Sequence, residues 1–495
     1  MNSIRQQALS GLGWSGATRV FSQVLQFGIS VILARLLSPR DFGLIGMVLV
    51  FTGFASSLSD MGLGASLVQQ RTISDRHLNT VFWVNVAAGT LLAILFSLAA
   101  PLIARFYKEP LLRLLTAPIA LNLLLSSLNV VQNALLDRSL NFRTKFWISS
   151  TSLTVSGIVA IILAFAGAGV WSLVGQSIIS AAISVAVMWR LSSWRPRLSF
   201  DLSTFRELMY FGGNLMGSSI VHYWGRNFDK LVIGRMLGGF TLGIYNLADN
   251  LMRIALANVT DITSAVMFPA LSAMQDEIES VKRVYLRATR MIALLTFPMM
   301  IGLSVLAEPA ILFVYGNKWQ EAIRIVQVLC FSGLAQSIYF TGGWIFLSLG
   351  RTDIAFGWGI YTTLIRVAGV LIGARWGIIG VAWAYVLGTY IFICYPTWSS
   401  AGRLVNLGFK DLLRNLAGPF YCAVSMGFLL WISDRWIFGN QASMIRLVIQ
   451  VPLGVFVYGF LIRQFRLEAF REVLKIILEM GGQRSRFIRW LAGDK

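Results

Sequence analysis

Charged side chains are scarce in this sequence of 495 residues, because Asp, Glu, Lys and Arg make up only 13% of it. Ordinary soluble proteins contain roughly 25%. Hydrophobic residues account for 56% of the chain, and its mean hydropathy is +0.69. So few charges cannot cover the surface of a soluble protein of this length. The composition therefore predicts an all-α polytopic membrane protein.

Histidine and cysteine are almost absent, with two His and three Cys in the whole chain. Cys330, Cys394 and Cys422 lie in apolar stretches and form no CxxC motif, which is typical of small buried apolar residues. So few soft ligands argue against a zinc site. We expect no metal and no cofactor.

Nucleotide-binding and nucleic-acid-binding signals are also missing. The segment GLGWSG, Gly11 to Gly16, fits GxGxxG, but polar residues rather than a strand precede it and a membrane helix follows. Small residues that allow close helix packing explain it better. There is no Walker A pattern, and the net charge of +20 is scattered between apolar runs, so we expect no nucleic-acid partner.

Apolar runs long enough to cross a bilayer, about 20 residues each, recur along the chain. Because no small-residue cleavage site follows the first run, we interpret it as a retained helix. We predict fourteen spans, at 11–36, 42–63, 80–104, 112–136, 146–167, 169–190, 208–234, 240–268, 291–314, 323–349, 354–374, 378–400, 416–433 and 444–463.

Lysine and arginine near the ends of the spans predict the orientation. When the N-terminus is placed in the cytoplasm, the cytoplasmic segments carry most of these residues, so both termini are predicted to be cytoplasmic. In the tail 464–495, apolar residues recur at helical spacing from Leu467 to Leu478. This pattern fits an amphipathic helix on the cytoplasmic leaflet, or equally a helix packed against the inner face of the protein.

An internal repeat is visible at an offset of 200 residues. Arg35, Leu37 and Gly43 match Arg235, Leu237 and Gly243, and Gly169-Val170 is echoed by Gly380-Val381. An even number of helices per repeat preserves orientation, so we predict two parallel six-helix lobes around a central cavity. The predicted domains are lobes 1–206 and 207–402, two extra helices in 403–463, and the tail 464–495.

A polar stripe follows one face of helix 1, and an equivalent stripe follows helix 7. Residues three or four apart share a helix face. The stripe of helix 1 consists of Ser15, Arg19, Ser22, Gln26 and Ser30, with Gln23 beside it. The stripe of helix 7 consists of Ser219, His222, Arg226 and Lys230.

Further ionisable residues fall within the later spans. Asp249 and Arg253 form an i,i+4 pair in helix 8, Asp261 follows them, and Arg366 lies in helix 11. Intramembrane ionisable residues almost always face a bundle interior or a watery cavity. We therefore predict a hydrated, net positive cavity between the two halves.

Ion pairing that only fixes helix packing is the alternative interpretation. Asp229 could pair with Arg226 or Lys230, and Asp249 with Arg253, while Lys230 could also extend to the membrane interface. Helix 1 contains no acidic residue, so this alternative is weaker for Arg19.

Three stretches resemble motifs of the polysaccharide-transport (PST) family of Wzx-like oligosaccharide flippases, and the likeness covers residues 1–410. They are LARLLSPRDFGLIGMV, DMGLGASLVQQ and RNFDKLVIGRMLGGFTLGIYNLADNL. The family belongs to the multidrug/oligosaccharidyl-lipid/polysaccharide (MOP) exporter superfamily, and the chain is most similar to its lipopolysaccharide and colanic-acid exporters of the WzxC type. Many relatives have twelve helices, so twelve spans is the second prediction.

The resemblance implies that the protein flips an undecaprenyl-diphosphate-linked oligosaccharide across the bacterial inner membrane by alternating access, for the assembly of a surface polysaccharide. It also implies that transport is coupled to an ion. The implied partners are membrane lipids and the polymerase and other polysaccharide-assembly proteins. Arginine binds phosphate oxygens in a bidentate way. The substrate-binding candidates are Arg19, Gln23, Gln26, His222, Arg226, Lys230, Arg253 and Arg366. The acids that would couple ions or hold the arginines are Asp229, Asp249 and Asp261.

Two rival functions fit the sequence less well. A drug or toxin extruder of the same superfamily would need acidic side chains in its lumen, whereas helix 1 has Arg19 and no acid. A membrane O-antigen polymerase or ligase would present a large outer loop with catalytic His or Arg. The outer connectors here are short, so we do not expect an enzyme.

Overall fold

Helices form all the regular structure that the computed structural model describes, in residues 2–59, 61–70, 72–439 and 441–465. The predicted amphipathic tail helix lies outside these residues. In the first half the helices are α1 Asn2–Leu36, α2 Pro39–Ser59, α3 Leu63–Gln69, α4 Asp75–Tyr107, α5 Leu112–Ser127, α6 Val130–Arg138, α7 Phe142–Phe165, α8 Val170–Leu191 and α9 Leu202–Ala273.

The second half continues with nine helices, two short 3-10 turns and one π-helical segment within the described residues. The helices are α10 Ile278–Val305, α11 Ala307–Val314, α12 Ala322–Tyr339, α13 Gly342–Ser348, α14 Thr352–Gly373, α15 Gly377–Gly388, α16 Tyr395–Leu404, α17 Phe409–Trp436 and α18 Ser443–Gln464. The 3-10 turns are Asn317–Trp319 and Ala374–Trp376, and the π-helical segment is Thr389–Cys394.

Eleven stretches of the described chain are long and apolar enough to cross a membrane, or twelve when the bent pair α5 and α6 counts as one. Two of them, Ser219–Ala273 and Thr352–Leu404, are 55 and 53 residues long. Each is interrupted by a glycine with positive φ, Gly238 or Gly377. A crossing needs about 20 residues, so each stretch is long enough for two. Each of the fourteen predicted spans overlaps one of these stretches, and the chain is a multi-pass membrane protein.

The predicted limits of the ninth span, 291–314, are wrong. α10 begins at Ile278, and the helix breaks at Leu306 before the short α11. Arg283 and Arg287 made the first turns of α10 resemble a connector. Its opposite face is buried, with Val281 and Tyr285 both at 0% exposure, so packing extends the helix toward the N-terminus.

The first compact unit, Met1–Gly243, is built on α1, α7 and α8 and on α4 and α5. α1 buries Ile29, Leu33 and Leu37 against Ala160 of α7 and Leu173 of α8. α2 packs against α4, α5 and α8. Asp201 caps α9, and the hydroxyl groups of Thr204 and Ser203 hydrogen bond to its carboxylate and lower its pKa.

The second compact unit, Ile244–Lys495, is built on α10, which packs against α12 and α17. α14 packs against α15, and α18 packs against α11 and α17. The division between the units falls inside α9, whereas the predicted lobes divide at 206/207. The division into lobes 1–206 and 207–402 therefore remains a prediction that rests on the internal repeat.

Candidate functional site

The polar stripe of α1 lies beside the face that α1 buries. Ile29 packs against Gly157 of α7, where a side chain would collide with it, and Trp14 and Phe21 contact the ring of Phe146. This packing leaves Arg19 and Gln26 exposed. Gln23, Ser22 and Ser30 are half-buried, and the side chain of Ser15 lies outside the described part of the chain.

The stripe of helix 7 is held in place by a tyrosine. The Tyr223 hydroxyl donates to the carbonyl oxygen of Val50 in α2 at 2.6 Å, and the Asn227 side chain donates to the carbonyl oxygen of Tyr223 at 3.0 Å. Lys230 Nζ lies 3.4 Å from Asn227 Oδ1, and the side chain of Lys230 is half-buried. α2 therefore fixes the rotation of this segment about its axis.

Arg226 and Asp229 lie on this fixed segment in different surroundings. Arg226 is exposed, whereas Asp229 is 8% exposed and its Oδ1 accepts the backbone N–H of Lys230 at 2.8 Å. The side chain of His222 lies outside the described residues. Arg226 thus has the accessibility that a ligand contact requires.

Asp249 and Arg253, in the second unit, form the ion pair predicted from their spacing. Arg253 Nε donates to Asp249 Oδ2 at 2.8 Å, with side-chain exposures of 33% for the arginine and 6% for the aspartate. Asp261, three turns further on, is exposed. The pair satisfies the geometry of the packing alternative, and the side chain of Arg253 stays partly exposed.

Arg366 of α14 contacts two tyrosine rings. Its Cζ is 5.9 Å from the ring centroid of Tyr339 and 5.4 Å from that of Tyr385. The guanidinium also donates to the hydroxyl of Tyr339. Cation–π contacts of this kind hold a guanidinium in one orientation. The rings come from α12 and α15, so no local sequence signal could have indicated them.

A second buried network links the last two spans to α11. Arg446 is 7% exposed, and its Nε donates to Asp434 Oδ1 at 2.9 Å. Its Nη2 lies 3.3 Å from Glu308 Oε2, and Gln450 donates to Asp434 Oδ1 at 2.7 Å. Arg446 and Asp434 satisfy each other's charge, so we interpret this network as structural.

The predicted site residues therefore fall into two groups. Arg19, Gln23, Gln26, Arg226, Asp229 and Lys230 belong to the first compact unit, and Asp249, Arg253, Asp261 and Arg366 belong to the second. Among the described side chains, no cluster of three or more His, Cys, Asp or Glu could hold a metal ion.

Known proteins similar to the chain are concerned with bacterial polysaccharides. The profile of a family described as "Polysaccharide biosynthesis protein" matches residues 32–324. The lipopolysaccharide biosynthesis protein WzxC of Escherichia coli (strain K12) is 28% identical over 429 residues, which are 85% of this chain and 86% of that protein. The succinoglycan biosynthesis transport protein ExoT of Rhizobium meliloti (strain 1021) is 28% identical over 486 residues, which are 96% and 95% of the two chains.

A solved structure shares the fold. The inward closed conformation of the lipid II flippase MurJ matches with a TM-score of 0.73 and 18% identity, covering 92% of this chain and 98% of that one. At this identity the likeness concerns the fold alone.

Proposed function

Because the chain belongs to the polysaccharide biosynthesis protein family, we propose that it is a flippase that moves a lipid-linked oligosaccharide across a membrane. The family resemblance predicted from the motifs, including the likeness to WzxC, is confirmed. ExoT, which matches over nearly its whole length, is itself named a transport protein. The chain is accordingly a transporter and not an enzyme.

The observation that carries the proposal is the exposure of Arg19 and Arg226 on helices long and apolar enough to cross a membrane. A lipid-diphosphate substrate carries about two negative charges, and a guanidinium binds phosphate oxygens through two parallel hydrogen bonds. Gln23 and Gln26, next to Arg19, can donate to sugar hydroxyls and accept from them. These groups suit a ligand with an anionic linkage and a polar glycan.

We also propose a specific lipid, membrane and orientation. The lipid is undecaprenyl diphosphate, the membrane is the bacterial inner membrane, and both termini are cytoplasmic. Transport proceeds by alternating access between lobes 1–206 and 207–402 and is coupled to an ion. Polymerase and other assembly proteins then receive the glycan on the outer side.

Uptake into proteoliposomes tests the proposal. Purified protein is reconstituted with a fluorescent undecaprenyl-diphosphate oligosaccharide, and a membrane-impermeant quencher reports the leaflet in which the label lies. We expect protein-dependent flipping that a proton or sodium gradient accelerates. A neutral undecaprenol glycoside, which lacks the diphosphate, is the matched control and should not be flipped.

Two results would contradict the proposal. If the protein moves a cationic dye and not the lipid-linked glycan, it is the drug extruder of the alternative interpretation. If glycan chains lengthen in the vesicles without flipping, the protein is a polymerase.

A further inference from the structure

The N-terminal end of α2 and the break in α9 are in backbone contact through glycines. A side chain on Gly43 would overlap the carbonyl group of Gly239, and a side chain on Gly243 would overlap the carbonyl group of Pro39. The backbone nitrogen of Gly43 lies 3.1 Å from the position that a β-carbon of Gly243 would occupy. We call Pro39, Gly43, Gly239 and Gly243 the glycine clasp.

The clasp joins equivalent positions of the internal repeat. At the offset of 200, Pro39 corresponds to Gly239, and Gly43 corresponds to Gly243. Gly43 contacts Gly239 while Gly243 contacts Pro39, so the two contacts are reciprocal. Reciprocal contacts between equivalent residues are the mark of a two-fold axis. The four clasp residues are therefore arranged with local two-fold symmetry.

The clasp is one end of a seam along which α2 and the first part of α9 run antiparallel. In the middle, the Tyr223 hydroxyl would lie 2.6 Å from a β-carbon on Gly53. At the far end, a β-carbon on Gly62 would lie 2.7 Å from the carbonyl oxygen of Gly212. The two backbones are thus in close contact near both ends of the seam.

α9 is interrupted directly beside the clasp. Gly238 has φ 84 and ψ 176, which is outside the helical region, and a β-carbon there would meet nothing within 4 Å. Glycine is needed at this position for its backbone conformation rather than for space. Its equivalent in the first repeat, Ser38, lies in the break between α1 and α2. Both repeats are therefore interrupted at the clasp.

We propose that the glycine clasp is the outer gate of the transport path, which separates each time the substrate site opens to the periplasmic side. This inference rests on the proposed function and on the predicted orientation, which places Pro39 at the periplasmic end of α2. The inner contact between Gly62 and Gly212 stays closed while the clasp is open. Glycines at both ends of the seam allow each contact to close without a side chain between the backbones.

A disulfide across the clasp tests the proposal. Cys330, Cys394 and Cys422 are replaced by Ala, and Arg40→Cys is combined with Gly239→Cys. A β-carbon on Gly239 would lie 3.8 Å from Arg40 Cγ, the atom that the sulfur of a cysteine at position 40 would replace, so the two cysteines are neighbours. We expect oxidation to lower flipping at least tenfold and reduction to restore it. Unchanged flipping by fully cross-linked protein would overturn the gate.

The matched control joins the same residue to a neighbour in its own repeat. Arg40 forms an ion pair with Glu109 at 2.8 Å, and both residues lie in the first repeat. Arg40→Cys combined with Glu109→Cys, joined by a bifunctional thiol reagent about as long as the two side chains that it replaces, should flip substrate normally whether linked or unlinked. Equal inhibition by this cross-link would show that any constraint at Arg40 blocks transport, and would overturn the assignment to the clasp.

A distance measurement on purified protein separates failure of the gate from failure of the proposed function, because it needs no substrate. Spin labels at Arg40→Cys and Phe240→Cys report the outer end, and labels at Val68→Cys and Tyr210→Cys report the inner end. We expect Gly243→Ala to lengthen the outer distance and leave the inner one unchanged.

Gly239→Ala is the control, because its β-carbon would meet only side chains, at 3.6 Å or more. It should change neither distance. An outer distance unaltered by Gly243→Ala in folded protein would overturn the proposal. If Gly243→Ala does not fold, the disulfide experiment decides.

Discussion

Arg226 is a charge on a helix whose rotation is fixed by its neighbours. Tyr223 binds the backbone of α2 on one side, while Asp229 is buried and accepts a backbone N–H. Arg226 is left exposed on a helix that crosses the membrane. An exposed guanidinium at membrane depth is stable only where water or an anion reaches it.

Substitution of Arg226 should therefore affect transport rather than folding. A charge-assisted hydrogen bond contributes about 1.5–3 kcal/mol, so Arg226→Ala should lower flipping roughly ten- to a hundredfold. Arg226→Lys keeps the charge but cannot form the two parallel hydrogen bonds of a guanidinium, so it should recover only part of the activity. Flipping in proteoliposomes is the measurement, and Arg113→Ala, another exposed cation, is the control. Normal flipping by Arg226→Ala would remove Arg226 from the site. Instability relieved by Asp229→Asn would make it a structural partner.

The ion pair of Asp249 and Arg253 has a buried end and a partly exposed end. Removing one partner of a fully buried pair costs about 3–5 kcal/mol, and the cost is lower here because solvent reaches Arg253. If Asp249 relays protons, Asp249→Asn should abolish the acceleration by a pH gradient and leave substrate binding intact.

A purely structural pair predicts a different result for the same variant. Asp249→Asn would then have a lower melting temperature, and the double variant with Arg253→Gln would recover part of it. Gradient-driven flipping and the melting temperature, measured on the same preparation, separate the two roles. If Asp249→Asn changes neither gradient-driven flipping nor the melting temperature, Asp249 has neither the proton-relay role nor the structural role.

The site residues that could be predicted from the sequence alone are charged residues within apolar runs. A charge in an apolar run is conspicuous, so Arg19, Arg226 and Arg366 could be selected without a structure. The rings of Tyr339 and Tyr385 that contact Arg366 could not, because an aromatic residue in a membrane helix looks like ordinary core. Neighbours from other helices depend on tertiary packing, which periodicity does not encode.

At the scale of helices, hydropathy located the crossings and only some of their interruptions. Every predicted span overlaps an observed helix, and the break at Gly238 falls in the predicted connector between 234 and 240, yet the break at Leu306 was not anticipated. A break of one or two residues barely changes the mean over a 20-residue window. The match of Gly43 with Gly243 was visible as a repeat, but the sequence contained no sign that these glycines touch.

The last two helices are fastened to the second compact unit by the Arg446 network. Arg446→Met would leave Asp434 beside Gln450 without its cationic partner, and loss of one member of a buried pair is strongly destabilising. We expect the melting temperature in detergent to fall by several degrees.

Arg351→Ala is the matched control for this network. Arg351 pairs with Asp353 on the surface, and exposed ion pairs contribute little to stability. Its melting temperature should therefore stay close to that of the parent protein. Equal melting temperatures for Arg446→Met and Arg351→Ala would show that the network does not fasten α18.

At the scale of the whole molecule, the number of crossings decides on which side the C-terminus lies. Two long stretches, Ser219–Ala273 and Thr352–Leu404, could each cross once at a steep tilt or twice. Their glycine breaks at Gly238 and Gly377 favour two crossings each, because a glycine with positive φ lets the chain turn back. With the bent pair α5 and α6 counted as one crossing, we therefore predict fourteen crossings, and an even number would place both termini on the same side.

Reporter fusions test this count at three positions. Lysine and arginine are concentrated on the side predicted to be cytoplasmic, so fusions at Arg195 and after Lys495 should both report the cytoplasm. A fusion after Phe438, in the turn between α17 and α18, should report the periplasm because these two helices cross as a pair. The readout is a periplasmic phosphatase paired with a fluorescent protein that matures only in the cytoplasm. A periplasmic signal after Lys495 would mean an odd number of crossings. A cytoplasmic signal after Phe438 would mean that α17 and α18 do not both span the membrane.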